Sequence, residues 1–588
     1  MSKSEKLTQF VIVICIAAII TAVGNVMDGK HLFSDSLVGV AILAVLATIG
    51  ALISNLPYAN KLPMVFWVSL VGVIASLPGM PGQEWIIAKT SQVTFLATTT
   101  PVLAYAGLSL GKDLGAFRRL SWRIIPVALA VTAGTFICAT ALALIDRILY
   151  GRFYKGDIMS RMTKEEVKQR VCEAIVNAQP CLRELAESIM AEPELGFKEV
   201  KTSKKVQVMF DELGISYTTG HALTGVKGRM KGRDSKYTVA MVGELDAILC
   251  PRHPRADDLT GAAHCCGHNV QITNMFAVAM GLQAVMDQLA GDVVLFAVPA
   301  EEMIEIDYRN KLREQGKLIY EGAFDDIDMA MQMHVETAKT PAGEMGLGST
   351  SNGFVSKLIE YHGKVAHAAQ APHEGINALN AALMGVMGVN SIRETFKESD
   401  YFRFHPIINQ GGTLVNCVPD YVQVESYVRA SNIEAIVDGN HRVNRALKAG
   451  GDAVGATCVI KDLPGYLPMR NDERMNALLR KNSNPIFGES NVYQGPHITA
   501  STDMGDVSHL MPVIHPWVGC ISGVLHSAEY EISVPDVAYI KTAQALAMTI
   551  VDLLYNDAAG AKDVLDNFTP ALNKETYIEL LDRIAKGE

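Results

Sequence analysis

Apolar residues are spread very unevenly along the chain. Up to about residue 155 they come in long runs: FVIVICIAAIITAVGNVM (10–27), LVGVAILAVLATIGALISNL (37–56), LPMVFWVSLVGVIASL (62–77), VTFLATTTPVLAYAGLSLG (93–111) and IIPVALAVTAGTFICATALALI (124–145). At 1.5 Å per residue each is long enough, the third only barely, to cross a hydrocarbon layer roughly 30 Å thick. The pattern predicts an all-α transmembrane bundle of about five spans over 1–155. The fourth run carries TTTP (98–101) at its middle. Proline there frees a carbonyl that threonine hydroxyls can satisfy, as in the broken helices that line transporter sites. Beyond the fifth run, Arg147, Arg152 and Lys155 surround Tyr150, Phe153 and Tyr154, a set suited to a membrane interface.

From 163 the spacing becomes that of a water-soluble α/β protein. KEEVKQRVCEAIVNAQPCLRELAESIM is helical in period, and YTVAMVGELDAI (237–248) is an apolar strand running into acidic residues. DVVLFAVPAEE (292–302) is a second strand, ending in two glutamates, and DMAMQMHVE (328–336) a third apolar stretch, ending at His334. Between them AAHCCGHNVQIT (262–273) leads into a helix from about 271. Strands that each end in Asp, Glu or His are expected where an α/β site lies at the carboxyl ends of the strands. From about 350 to 460 the order is strand, helix, strand pair, helix, strand, which predicts an inserted α+β layer of ferredoxin-like order. The expected organisation is a transmembrane domain over 1–155, a catalytic domain in two parts over 163–349 and 461–588, and the insert over 350–460.

Length adds that 588 residues need two or three cores. A net charge of −10 with both signs interspersed and no basic stripe argues against nucleic acid as a partner. The ten cysteines lack the regular spacing of a disulfide framework, which favours a reducing compartment and a cytoplasmic C-terminal part. Lys3, Lys6, Lys61, Lys112, Arg118, Arg119 and Arg123 fall on one side if all five runs span, and the positive-inside rule then places the C-terminal part outside. The two arguments oppose each other; the expectation is a multi-pass protein of the cell membrane with its soluble part cytoplasmic.

The candidate chemistry is that of a metal centre. His264, Cys265, Cys266 and His268 occupy five positions, and a mixed Cys, His and carboxylate set suits zinc, or manganese where carboxylates dominate. Cys266 and His268 can reach one centre from a loop. Adjacent side chains at a strand end point apart, so one of Glu301 and Glu302 can ligate while the other serves as general base. His334 and His526, in GVLHSAEY, could complete a two-metal set.

The chain resembles the aminoacylase/carboxypeptidase family of dinuclear metallo-amidohydrolases, and most of all its branch of aminobenzoyl-glutamate hydrolase and plant auxin-conjugate hydrolases. The matching stretches are AEPELGFKE (191–199), GELDAI (243–248), HCCGHN (264–269), PAEE (299–302), MHV (333–335), GKVAHAAQAPHEGINAL (363–379), GGTLVNCVPD (411–420), STDMGDVS (501–508) and LHSAEY (525–530). They run in the family's order through most of 163–550 and leave the membrane third uncovered. The resemblance implies two divalent ions, Mn or Zn, held by Cys266, His268, Glu302, His334 and His526, with Cys266 bridging. It makes Glu301 the base that moves a proton from the attacking water to the leaving amine. Asp246 and His264 would stand behind the metals and orient ligands. His367 would stabilise the oxyanion across a homodimer formed through the insert, which acts as a lid, and Asn416 and Arg429 would bind polar or carboxylate groups of substrate. Departures are Asn269 and Gln271, where many relatives carry Asp and a second His, Cys265 in place of a small residue, STDMGDVS in place of a GSEDF-like motif, and a longer, more polar 303–320. The implied protein is a lipid-embedded amidohydrolase for small N-acyl amino acids, aminobenzoyl-glutamate-like conjugates or dipeptides, coupled by proximity to transport of substrate or product. The rival is a transporter whose hydrolase-like domain binds substrate and regulates without turnover; the complete ligand set and intact Glu301 count against it.

Overall fold

The computed structural model describes residues 17–19, 21–22, 33–54, 56, 64–76, 80–91 and 93 of a first unit, Met1–Met159, and residues 162–303, 305 and 318–587 of a second, Ser160–Glu588. In the first unit lie α1 (Phe33–Ser54), α2 (Met64–Ser76) and α3 (Gln83–Thr90). Glycine lets them approach closely: a Cβ on Gly50 would stand 2.4 Å from the Val68 Cα, and one on Gly39 2.4 Å from the Lys89 carbonyl oxygen. Val45, Leu52, Val73 and Trp85 are each at least half exposed, so the unit presents apolar side chains outward. Within α1, Ser36–Ser54 is long and apolar enough to cross a membrane. Of the third expected run, the described residues form the 13-residue α2, about 20 Å long. The runs 93–111, all but Val93, and 124–145, the TTTP stretch, the basic residues 112–123 and most of 10–27 lie outside the described residues.

The second unit opens with α4 (Lys164–Asn177), α5 (Gln179–Met190) and α6 (Val200–Leu213). Thr163 and Glu166 start α4 with a reciprocal capping box. In chain order there follow β1 (Ser216–His221), β2 (Gly225–Met230), β3 (Thr238–Glu244), β4 (Ile248–Leu249), β5 (Ala262–Ala263), α7 (His268–Gln283), β6 (Asp292–Val298), β7 (Met329–Met331), β8 (His334–Thr337), β9 (Met345–Leu347) and β10 (Gly353–His362). Next come α8 (Ala378–Ser391), β11 (Arg403–Gln410), β12 (Tyr421–Ala430), α9 (Ile433–Asp452) and β13 (Thr457–Pro464). The chain closes with α10 (Glu473–Phe487), β14 (Val492–Gln494), α11 (Met504–Ser508), β15 (Val513–Ile514), β16 (Trp517–Ser522), β17 (Glu531–Ile532), α12 (Thr542–Leu554), α13 (Ala559–Asn567) and α14 (Lys574–Ala585).

Six strands form the main sheet in the order β1-β2-β6-β3-β7-β15, its last four parallel. β3 and β6 are buried at every residue, which is why both are apolar throughout rather than alternating. α7 packs against β3 and, on its other side, against α4, α5 and α12, so it too is apolar on nearly all faces. Val537–Leu554, leading into and through α12, has the length and composition of a membrane span, but 83% of it is buried in this core. A second sheet, β14-β9-β16-β17 with β8 on β16, stands beside the first. His334 does not end a strand of the main sheet, as its sequence context suggests. The chain stays extended past β7, with the N–H groups of Gln332 and His334 donating to Ile514 and Pro516, and His334 opens β8 of the second sheet.

The insert is a four-stranded antiparallel sheet, β11-β12-β10-β13, covered by α8 and α9. This is the ferredoxin-like order. Its last strand runs to Pro464, past the expected limit of 460, because β13 pairs with β10 down to Val355. β11 is an edge strand with Ile407 and Ile408 exposed.

Candidate active site

The centre is assembled at the carboxyl ends of β3 and β6, the start of α7 and the start of β8. Gly267 makes the first turn possible. Its φ of +96° favours glycine, and a Cβ there would lie 2.3 Å from a Val335 methyl. The helix therefore starts at His268 itself, three residues earlier than its period suggests, with Cys266 immediately before the turn. Ala300 (φ +57°) and His526 (φ +62°) are further left-handed residues, at the turns that present Glu301, Glu302 and the His526 ring.

Two donor groups share one thiol. Cys266, His268 and His334 offer ligand atoms within 4.8 Å of one another, and so do Cys266, Glu302 and His526. The Cys266 Sγ lies 3.4 Å from His334 Nε2 and 3.2 Å from His526 Nε2, and His526 Nε2 lies 3.1 Å from Glu302 Oε1. His268 turns Nδ1 toward Asp246, 2.9 Å from its carbonyl and 3.2 Å from its carboxylate, and His334 turns Nδ1 toward the Val335 carbonyl at 2.9 Å. Each ring thereby points Nε2 inward, the usual way in which outer partners orient ligating imidazoles. Asp246 does the same for the glutamates, accepting the Glu302 N–H at 2.9 Å. Burial and the Glu302 charge push the Cys266 thiol well above its ordinary range, and a cation bound beside it would favour the thiolate. This soft and hard donor mixture around one shared sulfur fits a pair of Zn or Mn ions. The first group is deeply buried, whereas the His526 side chain of the second is 46% exposed.

The two glutamates differ in acidity. Burial, then the charges of Glu244 and Glu302, raise Glu301 well above the usual carboxylate range. Burial also pushes Glu302 upward, but its contact with His526 outweighs this and holds it at about 2. Environments that separate two adjacent carboxyls in this way distinguish a proton carrier from a permanent anion.

The other candidates are scattered. Arg429 comes to the centre from the lid of the same chain. It donates to Ser501 Oγ at 2.8 Å, covers the rings of Phe354 and Tyr427, and feels the charges of Glu301 and Glu302. His367 and Asn416 do not accompany it. They share an exposed corner of the lid, where the Ala368 N–H donates to the Asn416 carbonyl, and among the described residues no hydrogen bond or ion pair links them to the cluster. Among the described residues neither ring nitrogen of the buried His264 is hydrogen-bonded and no hydrogen bond links it to a ligand; burial, then the His268 charge, push it down to about 3.

Glu244 is a neighbour that strand-end reasoning passes over. Its carboxylate lies 2.8 Å from His268 Nε2 and accepts from Gln271 at 2.7 Å and Gln332 at 2.9 Å. The signal was there in GELD, whose two acids end one strand, and in Gln271, the departure noted above, which holds Glu244. The glutamate loop is also gripped from two sides: the hydroxyl of Tyr466, just past β13, donates to the Glu301 carbonyl at 2.5 Å, and that of Tyr427 in the lid to the Met303 carbonyl.

Comparison with known proteins places this arrangement. Residues 238–552 match peptidase family M20/M25/M40. The chain is 27% identical to the Xaa-Arg dipeptidase of Mus musculus over 411 residues, 67% of this chain and 90% of that one. It is 27% identical to the Homo sapiens Xaa-Arg dipeptidase over 450 residues, 73% and 98%. Its fold is like that of an aminohydrolase from methicillin-resistant Staphylococcus aureus, with a TM-score of 0.54, 21% identity, and 65% of this chain covering 100% of that one. The family match takes in more than half of the chain, and the protein belongs to peptidase family M20/M25/M40, as a metal-dependent amidohydrolase acting on small amide or peptide substrates.

Proposed function

We propose that the protein hydrolyses the amide bond of small N-acyl amino acids, aminobenzoyl-glutamate-like conjugates or dipeptides, with Cys266, His268, Glu302, His334 and His526 as metal ligands and Glu301 as general base. The observation that carries this is the pair of donor groups meeting at Cys266, with Glu301 adjoining Glu302. Two divalent ions bound there would polarise the amide carbonyl and acidify a water. Glu301 takes the proton from that water and delivers it to the amine nitrogen as the C–N bond breaks. Asp246 holds His268 and the Glu302 amide in place. Arg429, the cation that the lid aims at the centre, pairs with a substrate carboxylate, bidentate binding being its strength. A terminal carboxylate is what N-acyl amino acids, aminobenzoyl-glutamate and the dipeptides of the Xaa-Arg dipeptidases have in common.

His367 and Asn416 reach a substrate only from a second copy, in a homodimer joined along β11. The first unit lies in the lipid bilayer of the cell membrane, supported by the span-length α1 and its outward apolar side chains. It keeps hydrolysis beside the passage of substrate or product, with the second unit on the cytoplasmic face.

The test uses full-length protein in detergent, wild type beside Glu301→Gln, with bound metal and hydrolysis of N-acyl amino acids, aminobenzoyl-glutamate and Xaa-Arg dipeptides measured after Mn or Zn loading. The expectation is about two ions per chain in both proteins and turnover at least about 10²-fold lower in the variant. Full activity in Glu301→Gln, or a metal-loaded wild type that turns over no amide, would refute it.

A further inference from the structure

Glu199 is fully buried in the loop between α5 and α6 and belongs to none of the donor groups. One carboxylate oxygen accepts the Ala300 N–H at 2.8 Å, and the other accepts the Thr224 hydroxyl at 2.7 Å. Ala300 is the residue just before the two glutamates, and its left-handed backbone is one that L side chains rarely adopt. Such a conformation persists only where the surroundings over-determine it. Here they do. Gly196 faces Ala300 so closely that a Cβ on it would lie 2.9 Å from the alanine methyl. Asp246 accepts the Glu302 N–H on the far side of the same turn, and Tyr466 donates to the Glu301 carbonyl. Among these contacts Glu199 holds the amide of the left-handed residue itself, and the Tyr466 hydroxyl also reaches that residue's carbonyl at 3.5 Å. Burial and the nearby Asp246 charge push its carboxyl up to about 7, a strain that a carbon side chain of equal size would avoid.

We propose that Glu199, oriented by Thr224, is a positioning residue for hydrolysis: its clamp on the Ala300 amide holds the turn that aims Glu301 at the attacking water and Glu302 at its ligand position. The proposal rests on Glu301 as general base. It concerns geometry, so the carboxyl's reach matters and its charge does not. Glutamine keeps the reach, with its oxygen on the Ala300 N–H and its amide on the Thr224 oxygen. Aspartate keeps the charge but withdraws by about one carbon–carbon bond, roughly 1.5 Å.

Full-length Glu199→Gln, Glu199→Asp and Glu301→Gln are compared with wild type for kcat, KM, bound metal and melting temperature. Glu199→Asp should lower kcat about 10- to 100-fold with KM within about twofold, since a displacement of this size misaligns a reacting group. Glu199→Gln should stay within about threefold of wild type. Both should keep wild-type metal content. Should Asp fail to fold, Thr224→Val, which frees the second oxygen of Glu199, should lower kcat while leaving KM unchanged; unaltered kcat in that variant overturns the proposal. Equal loss in Gln and Asp, or loss in Gln alone, would show that charge matters and overturn it. An inactive Glu301→Gln beside a fully active Glu199→Asp would overturn the clamp while leaving the base assignment standing. An active Glu301→Gln would remove the base assignment itself.

Discussion

Gly267 is closely confined at the metal centre. Its φ is +96°, and a Cβ would meet a Val335 methyl at 2.3 Å. Gly267→Ala should cost about 1–2 kcal/mol for the left-handed backbone and about 1–3 kcal/mol for the overlap. Because Cys266 and His268 flank it, metal content should fall as well. Adding Val335→Ala removes the overlap but not the backbone strain, so the double variant should regain part of the melting temperature. Full recovery, or none, would contradict this division. The residue scale also shows what was legible in the sequence. HCCGHN and PAEE declare themselves because clustered thiols, imidazoles and acids have few packing uses. Glu244, Tyr427 and Tyr466 do not, because their meaning lies in partners remote along the chain: Glu244 needs Gln271, 27 positions on, and Tyr466 finds the Glu301 carbonyl 165 positions back.

At the scale of elements, α4, α10 and α12 are joined by one buried polar knot. Lys168 Nζ lies 2.7 Å from Asp552 and 2.9 Å from Asn482, whose amide also donates to Asp552 at 2.9 Å. Both charged side chains are almost wholly buried. Burial raises the Asp552 carboxyl, but the bonds from Lys168 and Asn482 outweigh it and hold it below the ordinary 3.8. A depressed folded value stabilises the fold above the unfolded value and loses that contribution as pH falls through the folded one. Lys168→Met leaves Asp552 buried with weaker compensation and should destabilise by about 3 kcal/mol near neutrality. The gap to wild type should then narrow as pH drops below about 4. Thermal melts from neutral to acid pH check this, and a gap constant with pH would contradict it. The period of α4 places Lys168 on the buried stripe with Val171 and Ile175, but its partners Asn482 and Asp552 stand 314 and 384 positions away and were not legible. The buried strands β3 and β6 were legible, since continuous apolar runs ending in acids have few other uses. The switch from β7 to β8 was not, because extended chain reads alike in either sheet.

For the whole molecule, the chain divides into two units, Met1–Met159 and Ser160–Glu588. In the proposed mechanism His367 acts only from a second copy of the chain. The lid leaves one strand edge open at β11, where Ile407 is 61% exposed and Ile408 45%, and α8 beside it exposes Leu383, Met384 and Met387. An apolar open edge of this kind invites pairing with its own copy about a two-fold axis. Ile407→Lys should therefore yield monomers with intact metal sites and little turnover. Complementation gives the sharper test. A dimer of Glu301→Gln and His367→Ala chains keeps one complete site, made from the Glu301 of the second chain and the His367 of the first. Co-expressed in equal amounts, half of the dimers are mixed and one site in two works, so activity should return to about a quarter of wild type from two inactive parents. Absence of any recovery in dimers shown to be mixed would place His367 outside the reaction, and the lid would then serve catalysis through Arg429 and Tyr427 of the same chain.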